Sequence, residues 1–333
     1  VGRLSERLTE GPPKPANEPL PDPERAAPWR CAPCNKGRIE ALPLAGIVLL
    51  LLFLNYASVV LYPLGADRVH LPGEEPWRAS DRPWGISFGV LVLFHVPLLL
   101  TVISWVSTCI TDPGSAEVSW WQKHMGDQSH KVIDRRSGLY KPPRSHFDSV
   151  TQRLTLNMDH FCPWVVNTVG FYNRKFFVLF LLYVNITLVF AITLLGFVFW
   201  KSYFTEDRHL PPPRSIFLKY MYLLCGFDVL LVGVLVPFCT WHLTMVTKNE
   251  TTIDGNRLPQ YNVGWHGNVR QVFGRNPWTW CLPCYFDGPL GDGLRWPTRQ
   301  QRFANLAGSG GGSGWSQSAH ASSYTSSYTS STR

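Results

Sequence analysis

Phe176–Trp200, FFVLFLLYVNITLVFAITLLGFVFW, runs for 25 residues without an Asp, Glu, Lys or Arg. About 20 mainly apolar residues suffice for a helix to cross a bilayer, so the reading of this stretch decides the fold. Three others share its character. Leu42–Tyr62 (21 residues) and Gly85–Ile110 (26) also lack charge, and Tyr220–Val246 (27) carries only Asp228. The pattern predicts an all-α polytopic membrane protein with four transmembrane helices. It accounts for a chain of 333 residues that is 45% hydrophobic and 16% charged, where a soluble domain carries about 25% charge. A single soluble domain, a coiled coil and a secreted disulfide scaffold are disfavoured by the same arithmetic.

Around the spans the chain divides readily. Residues 1–41 are rich in proline and predict a disordered cytosolic tail. No signal peptide is expected there, since the first apolar run starts near residue 42. Residues 42–110 hold spans one and two, 111–175 a 65-residue loop, and 176–246 spans three and four. Residues 247–303 carry aromatic and cysteine-containing motifs, and 304–333 form a Gly/Ser/Thr-rich tail expected to be disordered. Four crossings place both termini and the long loop on one side. The short loops are richer in Lys and Arg than the tails, so the charge rule is equivocal. Arg30, Lys36 and Arg38 before the first span, against Arg68 after it, favour a cytosolic N-terminus. The net charge of +8 suits anionic headgroups or a phosphorylated substrate. No basic helix with interleaved aromatics stands outside the spans, so nucleic acid is not an expected partner.

The loop carries the chemistry, in Asp159-His160-Phe161-Cys162. A thiolate, not a thiol, is the nucleophile. An imidazole takes its proton, and a carboxylate orients the imidazole. Cys162 lies 14 residues before the third apolar run, close to the bilayer surface. On these four residues alone, a chance coincidence in a loop is the simpler reading.

Other motifs change that. Thr111-Asp112-Pro113-Gly114 follows span two, and Lys141-Pro142-Pro143-Arg144 with His146 precedes the Cys motif. Pro163, Trp164, Asn167, Gly170, Asn173 and Phe176 follow it, and Thr251-Thr252-Ile253-Asp254 comes just after span four. Asn268 to Gly274 closes the series. In this order they resemble the DHHC-type protein S-acyltransferases (palmitoyltransferases) over roughly residues 40–290, as a DHFC variant similar to fungal members. The resemblance implies palmitoyl-CoA or another long-chain acyl-CoA as donor. It also implies membrane-associated substrate proteins with accessible cysteines, and a cytosolic catalytic loop between helices 2 and 3. It assigns Cys162 as acyl acceptor, His160 as its base and Asp159 as orienter of His160. Thr252 becomes a donor to the Asp159 carboxylate, and Asn268 an anchor for the tail. Lys141, Arg144 and Trp164 become contacts for acyl-CoA. Tyr183, Thr187, Phe190 and Cys225 are candidates to line the acyl chain's path.

The family's loop holds two zinc ions. Aligned on these motifs, the ligand positions fall at Asp134, Ser137, Phe147, Asp148, Thr151, Leu154, Phe161 and Thr168, none of them Cys or His. Zinc is therefore not expected anywhere in the 134–168 loop, where Phe147, Leu154 and Phe161 are expected to supply a small apolar core. Cys31, Cys34, Cys281 and Cys284 form two CxxC pairs flanking the spans. A shared zinc site, lipidation and free thiols remain open for them. Asp228, His95 and His242 are polar residues in apolar runs, readable as functional groups or as helix-packing contacts. Arg174 and Lys175, at the foot of span three, read as interfacial anchors. The main alternative to an enzyme is a catalytically inactive scaffold of the same fold. A channel or transporter would need more polar residues in the spans.

Overall fold

The computed structural model describes Ala32 and residues 35–61, 88–116, 132–204, 212–285 and 288–301. Most of both predicted tails, including Cys31 and Cys34, lies outside the described residues. Among the described residues there are four long helices: α1 (Lys36–Tyr56), α2 (Phe88–Ile110), α3 (Arg174–Phe204) and α4 (Pro212–Lys248). Each is long and apolar enough to cross a membrane. α1 starts six residues before the boundary set at 42. Asn35 caps it by accepting the Arg38 amide at 3.1 Å, which satisfies one of the orphan donors of a first turn. The helix therefore enters the predicted tail, and a π-helical turn, Ala57–Leu61, continues its far end.

Apolar side chains cover the outside of the bundle. Leu50, Phe53, Leu93, Leu99, Leu223, Leu230 and Val234 are all exposed, as a lipid solvent demands. Polar contacts tie the helices inside. Thr101 of α2 meets Thr187 of α3 at 3.1 Å, Asn185 of α3 donates to Leu235 O of α4 at 3.3 Å, and Asn55 of α1 donates to Asp228 of α4 at 3.2 Å. Where lipid and leucine are equally apolar, such bonds and close packing hold helices together.

The loop between α2 and α3 folds as two small antiparallel hairpins. β1 (His146–Asp148) pairs with β2 (Arg153–Thr155), and β3 (His160–Cys162) pairs with β4 (Asn167–Val169). These strands are too short for a periodicity reading to detect. The loop is fastened to the bundle by its own polar groups. Asn167 Nδ2 donates to Thr108 O at 2.9 Å and Thr111 O at 2.8 Å, closing the end of α2. Arg38 of α1 donates to Val166 O at 2.7 Å and Cys109 O at 2.6 Å. Gly170 packs so closely on the TDPG turn that a Cβ would lie 2.8 Å from Pro113 O.

After α4 the chain returns to the loop. A short helix, α5 (Trp265–Phe273), and the segment to Trp296 cover it. Leu154, Leu156, Phe171, Tyr261, Leu294 and Trp296 form one buried cluster between loop and tail.

Candidate active site

Cys162 ends β3, and His160 sits two residues earlier. Side chains two apart on a strand share a face, so the DHxC spacing sets imidazole and thiol side by side. Cys162 is 6% exposed and packs with Ala41 and Ala45 of α1, Trp105 of α2, Phe177 and Leu181 of α3 and Cys239 of α4. All four helices thus contribute to the buried cluster that contains the thiol. Just past it, Pro163–Val165 makes a single 3-10 turn, and Val166 adopts φ 53°. A β-branched residue in that left-handed region is strained. The hydrogen bond from Arg38 to its carbonyl helps hold it there.

Asp159 is buried, and its two oxygens face different elements. Oδ1 accepts the Thr252 amide at 2.5 Å. Oδ2 lies 3.6 Å from His160 Nδ1 and 3.5 Å from His242 Nδ1. Those are ion-pair distances, longer than a formed hydrogen bond. Burial opposes ionisation of Asp159, but His160, Arg174 and His242 outweigh it and hold the carboxyl below the usual carboxylate range. Burial likewise disfavours the His160 cation. Asp159 and Cys162 overcome it and raise the imidazole to about 9. The carboxylate on one side and the sulfur on the other both favour the charged imidazole between them.

Thr252 meets Asp159 as the resemblance implied, with a difference. Its amide, not its hydroxyl, reaches the carboxylate; the hydroxyl donates to Asp159 O at 2.6 Å. Asn268 is fully buried. It donates to Thr247 O at 2.7 Å and to Asn262 Oδ1 at 2.8 Å, and accepts the Val263 amide at 3.0 Å. It thereby fastens α5 to the end of α4.

Arg144 is a correction. Expected at a CoA phosphate, it is instead 5% exposed with its guanidinium engaged. Nε donates to Asp254 at 2.8 Å, and the two terminal nitrogens donate to Asn249 Oδ1 and Asn249 O at 2.9 Å each. Its Cζ lies 4.2 Å from the centre of the Trp296 ring. A guanidinium so occupied is a strut between loop and tail. Burial pushes the Asp254 carboxyl up, but His146 and Arg144 prevail and keep it below the usual range. Asp254, standing where the family motif has Glu, is thus the tail's end of that strut. Lys141 is half-buried beside the loop's Asp134. Trp164 is 47% exposed next to the thiol, its carbonyl accepting the Trp105 indole at 3.0 Å.

Arg174 and Lys175 also differ from expectation, since both are fully buried rather than interfacial. Arg174 donates to Glu250 O, and Lys175 to Thr279 O at 2.9 Å and Cys284 O at 2.6 Å. Tyr183 donates to Cys281 O, so it holds the tail instead of lining a lipid path. Thr187 is occupied with Thr101, and Cys225 packs near Val59 and Phe94. Phe190 lines an open apolar groove of 370 Å³ running along α3 between Leu182 and Leu194.

The eight former zinc positions do not fit a zinc ion. Phe147 and Leu154 face each other across β1 and β2, and Phe161 and Thr168 across β3 and β4. Asp148 Oδ2 accepts the hydroxyls of Thr151 (2.7 Å) and Thr168, while Oδ1 accepts the Val150 amide at 2.8 Å. Asp134 accepts from the Ser137 amide at 2.8 Å and its hydroxyl at 3.0 Å. Hydroxyls and phenyl rings are not zinc donors in protein sites. Phe147 and Leu154 join the loop–tail cluster, and Phe161 the one around Cys162.

The fold and site define a class: a four-span membrane protein with a Cys, His and Asp constellation where its helices end. Comparison with known proteins narrows it. Residues 128–257 match the family model described as DHHC palmitoyltransferase. Probable protein S-acyltransferase 13 of Arabidopsis thaliana is 35% identical over 226 residues, 60% of this chain and 73% of that protein. Palmitoyltransferase ZDHHC20 of Mus musculus is 30% identical over 323 residues, 82% of this chain and 81% of that one. The human protein of that name is 29% identical over 315 residues, covering 82% and 80%. The chain belongs to the DHHC palmitoyltransferase family, and its activity is protein S-palmitoyl transfer.

Sequence reading missed the Arg144 strut, the Asp148 node and His242 at the site. The last was visible only as a polar residue in an apolar run.

Proposed function

We propose that Cys162 takes a long-chain acyl group from palmitoyl-CoA and passes it to cysteines of membrane-associated proteins. The thiolate of Cys162 attacks the thioester carbonyl carbon. The carbon–sulfur bond to CoA breaks, and CoA leaves as a thiol with the proton held by His160. A substrate thiol then gives its proton to His160, and its sulfur attacks the acyl-Cys162 thioester. Cys162 departs as thiolate, paired again with the imidazolium. Asp159 orients His160 and keeps it charged between turnovers. Thr252 steadies Asp159, and Asn268 steadies the tail that carries Thr252.

The single observation that carries this reading is the placement of Cys162. It stands beside His160 and Asp159 in a buried cluster to which all four apolar helices contribute. There a thioester stays at the bilayer surface while its chain lies among apolar side chains, at about 0.8 kcal/mol per buried CH₂. The groove along α3 suits such a chain, and Leu182 touches both it and the cluster around Cys162. Trp164, exposed beside the thiol, suits the thioester end, and Lys141 suits a CoA phosphate. CoA is multiply charged and does not cross a bilayer unaided. Both termini and the loop are therefore placed on the cytosolic side with the donor. Within the family we place the chain among DHFC variants with zinc-depleted loops, of the fungal type. Its loop folds without zinc, held by the Asp148 node and the paired hairpins.

Purified protein incubated with labelled palmitoyl-CoA should acquire a hydroxylamine-sensitive label, and Cys162→Ser should acquire none. No label on the wild type, or equal label on both, would overturn the reading in favour of an inactive scaffold.

A further inference from the structure

His242 lies on α4, 1% exposed, inside a cage of aromatic rings. Phe177, Phe238 and Trp241 stand with ring centres 5.0, 4.5 and 5.3 Å from its own. Among the described residues, neither of its ring nitrogens has a hydrogen-bond partner. An imidazole so buried in a membrane helix is costly unless a polar group answers it. The group within reach is Asp159 Oδ2, at 3.5 Å from Nδ1. His160 approaches the same oxygen from the other side at 3.6 Å, and the two imidazole centres are 5.8 Å apart. Asp159 Oδ1 is already taken by the Thr252 amide.

We propose that His242 is a positioning residue for acyl transfer: its Nδ1–H holds Asp159 Oδ2 and shares that oxygen with His160. The carboxylate is then gripped from two elements, the tail through Oδ1 and the fourth span through Oδ2. Gripped so, it cannot rotate away from His160 when the imidazole gives up its proton. The shared oxygen also divides its charge between two rings. His242 therefore limits how tightly Asp159 keeps the proton on His160, which eases delivery of that proton to the leaving CoA thiolate. The charged and titratable groups facing His242 are Asp159 and His160 from the loop and Arg174 from α3. Arg174 carries donors only, and the His160 ring centre is 5.8 Å away, which leaves Asp159 Oδ2 as the acceptor for His242.

This rests on Cys162 being the acyl acceptor, and the test separates the two ideas. Autoacylation by labelled palmitoyl-CoA is followed against donor concentration and pH in wild type, His242→Phe, His242→Asn and His242→Gln. Phe fills the cage without a donor. Asn places an amide where Nδ1 stood, and Gln places one near Nε2. The maximal rate should fall about tenfold or more in His242→Phe, as for other groups that assist proton transfer. The half-saturating donor concentration should stay within about twofold, since uniform binding is untouched. The titration of His160 in the pH–rate profile should move to higher pH, because Asp159 then serves His160 alone. His242→Asn should recover most of the rate and the wild-type profile. If His242→Phe does not fold, the Asn and Gln pair decides: Asn must retain activity that Gln loses. A wild-type rate and profile in His242→Phe, equal behaviour of Asn and Gln, or lost rate without a pH shift would overturn the proposal. An unlabelled wild type would instead overturn the Cys162 reading.

Discussion

His160 keeps its proton to about pH 9, although burial alone would remove it. Asp159 and Cys162 supply the difference, and two outcomes follow from the Asp159–His160 pair. Asp159→Asn keeps the shape and removes the charge. It should lower the rate of acyl-enzyme formation by about 10²–10⁴-fold, the range for lost acid–base assistance. A stopped-time label assay checks this, and an unchanged rate would remove Asp159 from the mechanism. The second outcome is in stability. The folded-state value of His160 is raised from 6.5 to about 9. A raised histidine stabilises the fold fully below 6.5, and that contribution is lost as pH climbs through 9. Tm in detergent should therefore decline from pH 6.5 to 9, and His160→Gln should flatten that part of the curve. Equal slopes in the two proteins would contradict it. The three residues were legible in the sequence because two-residue spacing on a strand already joins imidazole and thiol. Which atom of Thr252 serves Asp159 was not legible, since backbone donors leave no trace in residue identity.

Among the elements, paired hairpins and one buried carboxylate hold the loop together. Asp148 gathers the Val150 amide and Thr151 hydroxyl from its own hairpin and the Thr168 hydroxyl from the other. Phe147–Leu154 and Phe161–Thr168 are cross-strand pairs, the unit by which short antiparallel strands stabilise each other. Protein bearing Cys281→Ser and Cys284→Ser, which removes those tail thiols, should contain no bound zinc. A chelator should leave its Tm unchanged. Stoichiometric zinc in that variant would sink the idea. Thr168→Val should cost about 1–3 kcal/mol by leaving the buried Asp148 carboxylate short of a donor, read as a lowered thermal midpoint. The loss of zinc ligands was plain in the sequence. Their regrouping into a carboxylate–hydroxyl node was not, because Asp148 and Thr168 are 20 residues apart and meet only when the two hairpins stack.

At the scale of the molecule, the tail completes the site. Thr252, Asp254, Asn268 and Trp296 all follow the last span, and each reaches back to the loop or the end of α4. Arg144 is the central strut. Removing one partner of a buried ion pair costs about 3–5 kcal/mol, so Arg144→Ala should lower Tm and acylation rate together. Its half-saturating palmitoyl-CoA concentration should not move. A selective rise in that concentration, with stability intact, would restore Arg144 to the role of phosphate ligand.

Four apolar runs, the two-residue spacing of His160 and Cys162, and the lack of Cys or His at the aligned zinc positions can be read along the chain without a fold. Each is written locally, as an apolar run, a short spacing or a residue type. Only the tertiary structure decided that Arg144 faces Asp254, that Thr252 serves Asp159 through its amide, and that His242 shares the Asp159 oxygen. These contacts join residues 83–110 positions apart, 110 for Arg144 and Asp254 and 93 for Thr252 and Asp159. For Asp159 and His242 the separation is 83 positions. Such partners are chosen by which helix ends and tail segments pack against the loop, and no local pattern encodes that choice.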